Sequence, residues 1–161
     1  MADWPKTSLR QASNKDCEAI IDLVYGVLEE YGLKPDPAAT DADLDNIEQS
    51  YFERGGAFFV LEDRSDSIIG AYGLYPLEKQ TCELRKMYLH KDHRGKGLGK
   101  LLLDSALAQA RELGFTRVAL ETASVLKEAI ALYESYGFEK YRPDHMSERC
   151  DQAYVLVLRI T

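Results

Sequence analysis

Apolar residues recur at helical spacing from Asp16 to Tyr31, where Ile20, Leu23, Val24, Val27, Leu28 and Tyr31 form one stripe, and this predicts an amphipathic helix. Gly32 ends it. Thr7–Ala12 before it reads as a strand. Lys34-Pro35-Asp36-Pro37 after it is a loop, because paired prolines disfavour helix, and Asp43–Glu53 resumes as a short helix closed by Gly55-Gly56. Ala57–Glu62 and Ser67–Tyr75 then predict a hairpin around Asp63-Arg64-Ser65-Asp66, followed by a break at Pro76. The helical period returns in Leu102, Leu103, Ala106, Leu107, Ala110 and Leu113, which Gly114 stops, and again in Leu126, Ala129, Ile130 and Tyr133. Val118–Glu121 between them is a strand, and Ala153–Ile160, apolar on both faces, predicts a well-buried last one. No repeat, low-complexity tract or linker interrupts the series, so the reading is one α/β domain over residues 1–161.

Two departures from regular patterning carry more information. In Thr81–His90, Cys82 and Leu84 share one parity while Met87 and Leu89 have the other. A bulge near Arg85-Lys86 returns the later residues to the core face, bends the strand and frees backbone groups for a ligand. Directly after comes His93-Arg94-Gly95-Lys96-Gly97-Leu98-Gly99-Lys100, leading into a helix. Glycines at alternate positions allow a tight turn with converging N–H groups, and the helix N-terminus adds partial positive charge, a combination suited to phosphate oxygens. The run matches neither G-x-x-x-x-G-K-[ST] nor a dinucleotide G-x-G-x-x-G in a first βαβ unit.

Composition narrows the classes. Of the 161 residues, 45% are hydrophobic and 29% charged, which excludes collagenous, mucin-like and disordered chains. No apolar stretch is long enough to span a membrane and Met1–Arg10 lacks a signal-peptide pattern, so a cytoplasmic protein without membrane association is expected. Cys17, Cys82 and Cys150 are far apart and in no C-x-x-C pattern, which gives reduced thiols and no metal site. His90 and His93 have no third ligand at a zinc spacing. A net charge of −7 argues against nucleic acid. Within it lies a basic island, Lys91, Arg94, Lys96 and Lys100 beside His93 and against Asp92 alone, fit for a compact polyanion. Conversely, Glu29, Glu30, Asp36, Asp41, Asp43, Asp45 and Glu48 form either a solvated face or an attractor for a cationic substrate.

Taken together, Arg94-x-x-Gly97-x-Gly99 between strand and helix, Val118–Glu121, and Ala129-Ile130-Ala131-Leu132-Tyr133-x-x-x-Gly137-Phe138 resemble the Gcn5-related N-acetyltransferase family. Glu83-Leu84-Arg85-Lys86-Met87-Tyr88 and Leu120-Glu121-Thr122 look like one bacterial branch of it. The resemblance implies an acyl-coenzyme A N-acyltransferase fold: a central mixed, mostly antiparallel sheet of about seven strands with helices on both faces. It implies acetyl-coenzyme A as cosubstrate and no metal. The backbone at Met87, Tyr88 and Leu89 would pair with the pantetheine arm, and Arg94, Gly95, Lys96, Gly97, Leu98, Gly99 and Lys100 would hold the pyrophosphate. The thioester would lie between two splayed strands. Where the family often carries Asn near the start of the tyrosine-bearing helix, this chain has Leu126, with Lys127 beside it.

Two side chains are candidate actors. At pH 7 only roughly one alkyl amine in a few thousand is neutral, a handicap of about 4 to 5 kcal/mol, so a base or a proton-relaying water is useful. Glu83 is the candidate base, against a plain ion pair with Arg85 or Lys86. A phenol near the leaving sulfur can supply a proton with reasonable pKa matching. Tyr133 is that candidate, against ordinary core packing, with Tyr136 expected to pack under Phe138. A bulge N–H such as that of Met87 is a candidate for polarising the thioester carbonyl. The leading reading is an N-acetyltransferase for the amine of a small molecule or amino-acid-like acceptor, with a homodimer left open. A non-catalytic acyl-coenzyme A sensor and a nucleotide-binding module are the alternatives. Acceptor specificity is expected from Tyr31–Tyr51 and Pro143–Gln152, with His145 bordering the acceptor pocket.

Overall fold

The computed structural model describes residues 7–159. Its strands are β1 (Ser8–Gln11), β2 (Ala57–Glu62), β3 (Ile68–Pro76), β4 (Thr81–Leu89), β5 (Arg117–Thr122), β6 (Glu139–Tyr141) and β7 (Gln152–Val157). Its helices are α1 (Cys17–Glu30), α2 (Ile47–Ser50), α3 (Leu98–Glu112) and α4 (Lys127–Ser135). The seven strands form one sheet in the order β1-β2-β3-β4-β5-β7-β6. All pairs are antiparallel except β4–β5, which is parallel. This is the mixed, mostly antiparallel sheet that the sequence implies.

Alternation along the strands builds two cores. Phe58 and Val60 of β2 pack with the α1 stripe of Ile20, Val24 and Leu28 on one face. Leu61 points the other way, joining Leu102, Leu103 and Ala106 of α3 and Tyr133 of α4. Helices therefore cover both faces, as expected. Ahead of α1, Ser13 and Asp16 form a capping box on the 3₁₀ turn Asn14–Asp16, and Arg10 of β1 pairs with Asp16 at 2.8 Å.

Three local expectations are corrected. The helix predicted over Asp43–Glu53 is divided into 3₁₀ turns at Ala42–Asp45 and Phe52–Arg54 flanking the single-turn α2. Asn46 divides it: its backbone is extended, and its side chain caps α2 by accepting from the Gln49 N–H at 3.0 Å. The last strand ends at Val157, whose side chain is 64% exposed beside the likewise exposed Arg117 end of β5, so its burial is confined to Ala153, Tyr154 and the following Leu158. Ile160, in the strand predicted to end there, lies outside the described residues. Leu113 falls just past α3 and is exposed rather than part of its stripe.

Candidate active site

Register decides where the sheet opens. β5 pairs with β4 only at Thr81, Cys82 and Glu83, and then continues through Leu120–Thr122 beside β7 alone. The edge of β4 from Leu84 to Leu89 consequently has no strand partner on the β5 side. Its other edge carries the bulge: Gly73 pairs with Arg85 and Ala71 with Tyr88, so Lys86 and Met87 together face Tyr72. Lys86 takes a φ of 56°, in the left-handed region. The extra residue brings Met87 and Leu89 onto the core that holds Cys82 and Leu84, while Tyr88 packs on the α1 side. The parity slip thus marks a bulge at the predicted place.

A cavity of about 560 Å³ occupies the opening. The Gly-rich turn forms one wall. Gly95 and Gly97 have φ of 77° and 79°, with open space where a Cβ would stand. Gly99 is different: it lies in the first turn of α3, and a Cβ there would meet the Leu132 side chain at 3.7 Å, an ordinary contact. Gly97 caps α3 without any side-chain hydrogen bond, so the first amides of the helix are free of internal partners. Uncapped amides, the helix dipole and two Cβ-free turn positions fit a diphosphate. Gly95, Gly97, Leu98 and Gly99 line the cavity, as do Met87, Tyr88 and Leu89. Lys96 and Lys100 do not, and Lys100 sits 3.8 Å from Asp104 on the surface.

Arg94 also borders the cavity, but its guanidinium is engaged elsewhere. It pairs with both Glu30 oxygens, donates to the Leu89 carbonyl at 2.9 and 3.1 Å, and meets the Tyr31 hydroxyl at 3.1 Å. This clasp fastens the turn to the end of α1. His90 accepts from the Asp92 N–H at 3.2 Å, and among the described residues no three side chains are grouped as metal ligands.

Glu83 and Tyr133 reach the same cavity from different elements. Glu83 leaves β4 where pairing with β5 stops, and it forms an ion pair with Arg85, whose guanidinium lies 3.8 Å over the Tyr75 ring. Tyr133 packs its ring against Phe138, centroids 5.6 Å apart, and no hydrogen bond among the described residues uses its hydroxyl. Burial, reinforced by Tyr88, pushes the phenol well above its ordinary value. Burial thus keeps the phenol protonated and makes it a weaker acid than an unburied tyrosine. Tyr136 points away and donates to Asp104 at 2.5 Å.

Another part of the cavity wall comes from the two loops anticipated for specificity, including Leu33, Ala39, Thr40, His145 and Met146. What holds them had no counterpart in the sequence reading. Lys86 Nζ lies 3.3 Å from Asp41 and 3.1 Å from Asp43, and donates to the Thr40 carbonyl at 3.0 Å. Arg149 grips the other side of Asp41 with two bonds of 2.7 Å, across 108 residues of chain. Burial pushes Asp41 up, yet Arg149, the Asp36 amide and Lys86 hold it below the usual carboxylate range. Asp41 and Asp43 are thus neither a solvated face nor a lure for a cation: their side chains are 0% and 8% exposed and neutralised within the protein. Glu121, also unassigned from sequence, lines the cavity and accepts from the Ser147 N–H at 3.0 Å. Only long-range contact reveals these residues, since no local spacing links them.

The comparisons with known proteins agree with this geometry. The model of the Acetyltransferase (GNAT) family matches residues 21–138. The uncharacterized N-acetyltransferase YjgM of Escherichia coli is 46% identical over 136 residues, covering 81% of either chain. A GNAT-family acetyltransferase from Staphylococcus aureus superposes with a TM-score of 0.89 over 95% of this chain and 99% of its own, at 24% identity. An acetyltransferase from Salmonella typhimurium, solved with acetyl-CoA, shares the fold at a TM-score of 0.75 and 23% identity, covering 97% of this chain and 96% of its own. With a family match spanning more than half of the chain and the sheet opening just described, the sensor and nucleotide-binding alternatives fall away: the chain belongs to the GNAT family and is an acetyl-CoA-dependent N-acetyltransferase.

Proposed function

We propose that the chain, as a single catalytic domain, acetylates the amine of a small molecule or amino-acid-like acceptor by direct attack, within the opening between β4 and β5. One observation carries this reading: the loss of pairing after Glu83 places an unpaired strand edge, an uncapped helix N-terminus, a carboxylate and a phenol on one cavity. Acetyl-CoA, when bound, supplies the thioester and the diphosphate. The amides from Gly95 to Gly99 bind the diphosphate, and the free edge at Met87–Leu89 offers backbone groups to the pantetheine amides. Glu83 takes the proton of the ammonium, directly or through a water, and Arg85 keeps that carboxylate oriented. Tyr133 donates a hydrogen bond toward the leaving sulfur. Because its phenol is harder to ionise than a thiol, it acts more as a donor to developing charge than by complete proton transfer.

Release of free thiol from acetyl-CoA over a panel of polyamines, amino acids, aminoglycosides and peptide N-termini tests the reading. Glu83→Gln should lower kcat/KM about a hundredfold at pH 7, with the deficit shrinking toward the acceptor's own pKa as free amine accumulates. Thiol release that no amine accelerates, or a deficit independent of pH, would refute the assignment.

A further inference from the structure

Lys86 is the extra residue of the β4 bulge, and its side chain is one of the few buried cations of the molecule, 5% exposed. A left-handed lysine in a strand is an uncommon choice where glycine or asparagine would adopt the same backbone at less cost. Its ammonium head must therefore do something that they cannot. That head lies between Asp41 and Asp43 and under the Thr40 carbonyl, all on the segment that walls the cavity after α1. Asp41 in turn accepts from the Asp36 N–H at 2.8 Å and holds Arg149, which comes from the loop before β7. Two cations and two carboxylates thus tie two separate segments to one bulge. Tyr51 joins the set through its hydroxyl on Asp43.

A buried ionic group of this kind is poor evidence for net stability, because desolvation offsets attraction. Its value lies in selecting one arrangement among several. Thr40, Lys86 and Arg149 all line the cavity, so the arrangement selected is that of the cavity wall. We propose that Lys86 is a positioning residue which docks both acceptor loops, 36–43 and 147–151, onto the bulge that exposes the acyl-CoA edge of β4. The inference rests on the proposed function, in which these loops face the acceptor. Acceptor site and acyl-donor edge are then built on a single residue, and the loops cannot shift without disturbing the network.

The test separates head group from backbone. Lys86→Gly keeps a left-handed bulge available and removes the ammonium, whereas Lys86→Met/Asp43→Asn removes one charge of each sign and leaves the Asp41–Arg149 pair balanced, guarding against simple unfolding. In both variants, backbone amides of 36–43 and 147–151 should lose hydrogen-exchange protection together by about tenfold or more, and acceptor KM should rise by a similar factor while acetyl-CoA Kd changes less than about threefold. Lys86→Arg should restore much of the loss. Deprotection of the first loop alone, or a parallel rise in acceptor KM and acetyl-CoA Kd, would overturn the proposal. Absence of turnover in the wild type with every amine would instead defeat the functional reading, and the exchange measurement would still decide whether Lys86 docks the loops.

Discussion

The two ends of the cavity are built by different physics. At the Gly-rich turn the cavity wall is backbone: two left-handed glycines, an uncapped helix and an unpaired strand edge, all within seventeen residues from Glu83 to Gly99. Where the loops after α1 and before β7 wall the cavity it is side chains, held by ion pairs between residues as far apart as Asp41 and Arg149. A backbone site tolerates many side-chain changes and suits a ligand common to a whole family. A loop site held by a few buried charges can be re-specified by changing its walls, yet it fails sharply when one charge is lost.

That contrast can be broken most forcefully at Arg149. Arg149→Met leaves Asp41 with only Lys86, and loss of one partner of a buried pair should destabilise the protein by about 3 kcal/mol, read from denaturant or thermal unfolding. Tyr133→Phe comes next. It preserves the packing on Phe138 and should lower kcat about a hundredfold, equivalent to about 2.7 kcal/mol, with acetyl-CoA Kd unchanged; a full-rate Tyr133→Phe enzyme removes the phenol from the chemistry. Gly97→Val, at φ 79°, should weaken acetyl-CoA binding by about tenfold and cost about 1 to 2 kcal/mol of stability, while Lys96→Ala, outside the cavity, should change affinity little. Equal effects of the two would mean that charge rather than backbone holds the diphosphate.

The smallest effect is in acid. Asp41 is held below the usual range by Arg149 and Lys86 against the burial that would raise it, and the Arg10 bond depresses Asp16. A folded-state value lower than the unfolded one, near 3.9, gives stability that is present above that pH and is lost as pH falls through the folded value. Melting temperature should therefore decline below about pH 4, and Asp41→Asn should start lower at neutral pH but show a shallower acid decline. An identical acid slope in the variant would exclude Asp41 as a source of it.

The bulge at Lys86, the Gly-rich turn at Gly95–Gly99 and the main helices were legible because each is encoded locally, by parity, glycine placement or a 3.6-residue period, whereas the placing of helices on both faces came with the family resemblance. Where reading failed, a competitor outside the local pattern won. Asn46 capped a new turn and cut a helix, and Val157 at the end of β7 stayed in solvent. Arg94 lines the cavity beside the turn, and its guanidinium also reaches Glu30, 64 residues away, a contact that no local pattern encodes. The acidic run from Glu29 to Glu48 looked uniform, but folding divided it: Asp41 and Asp43 became buried counterions, whereas Glu48 stayed at the surface.

By itself, then, the order of residues determined the elements, the bend in β4 and the Gly-rich turn, since backbone conformation responds to neighbours a few positions away. Only the tertiary structure decided where β4 and β5 part, which charges are spent on one another, and which face the cavity. Charge pairing depends on distance through space, and loops brought together across more than a hundred residues leave no periodic trace along the chain.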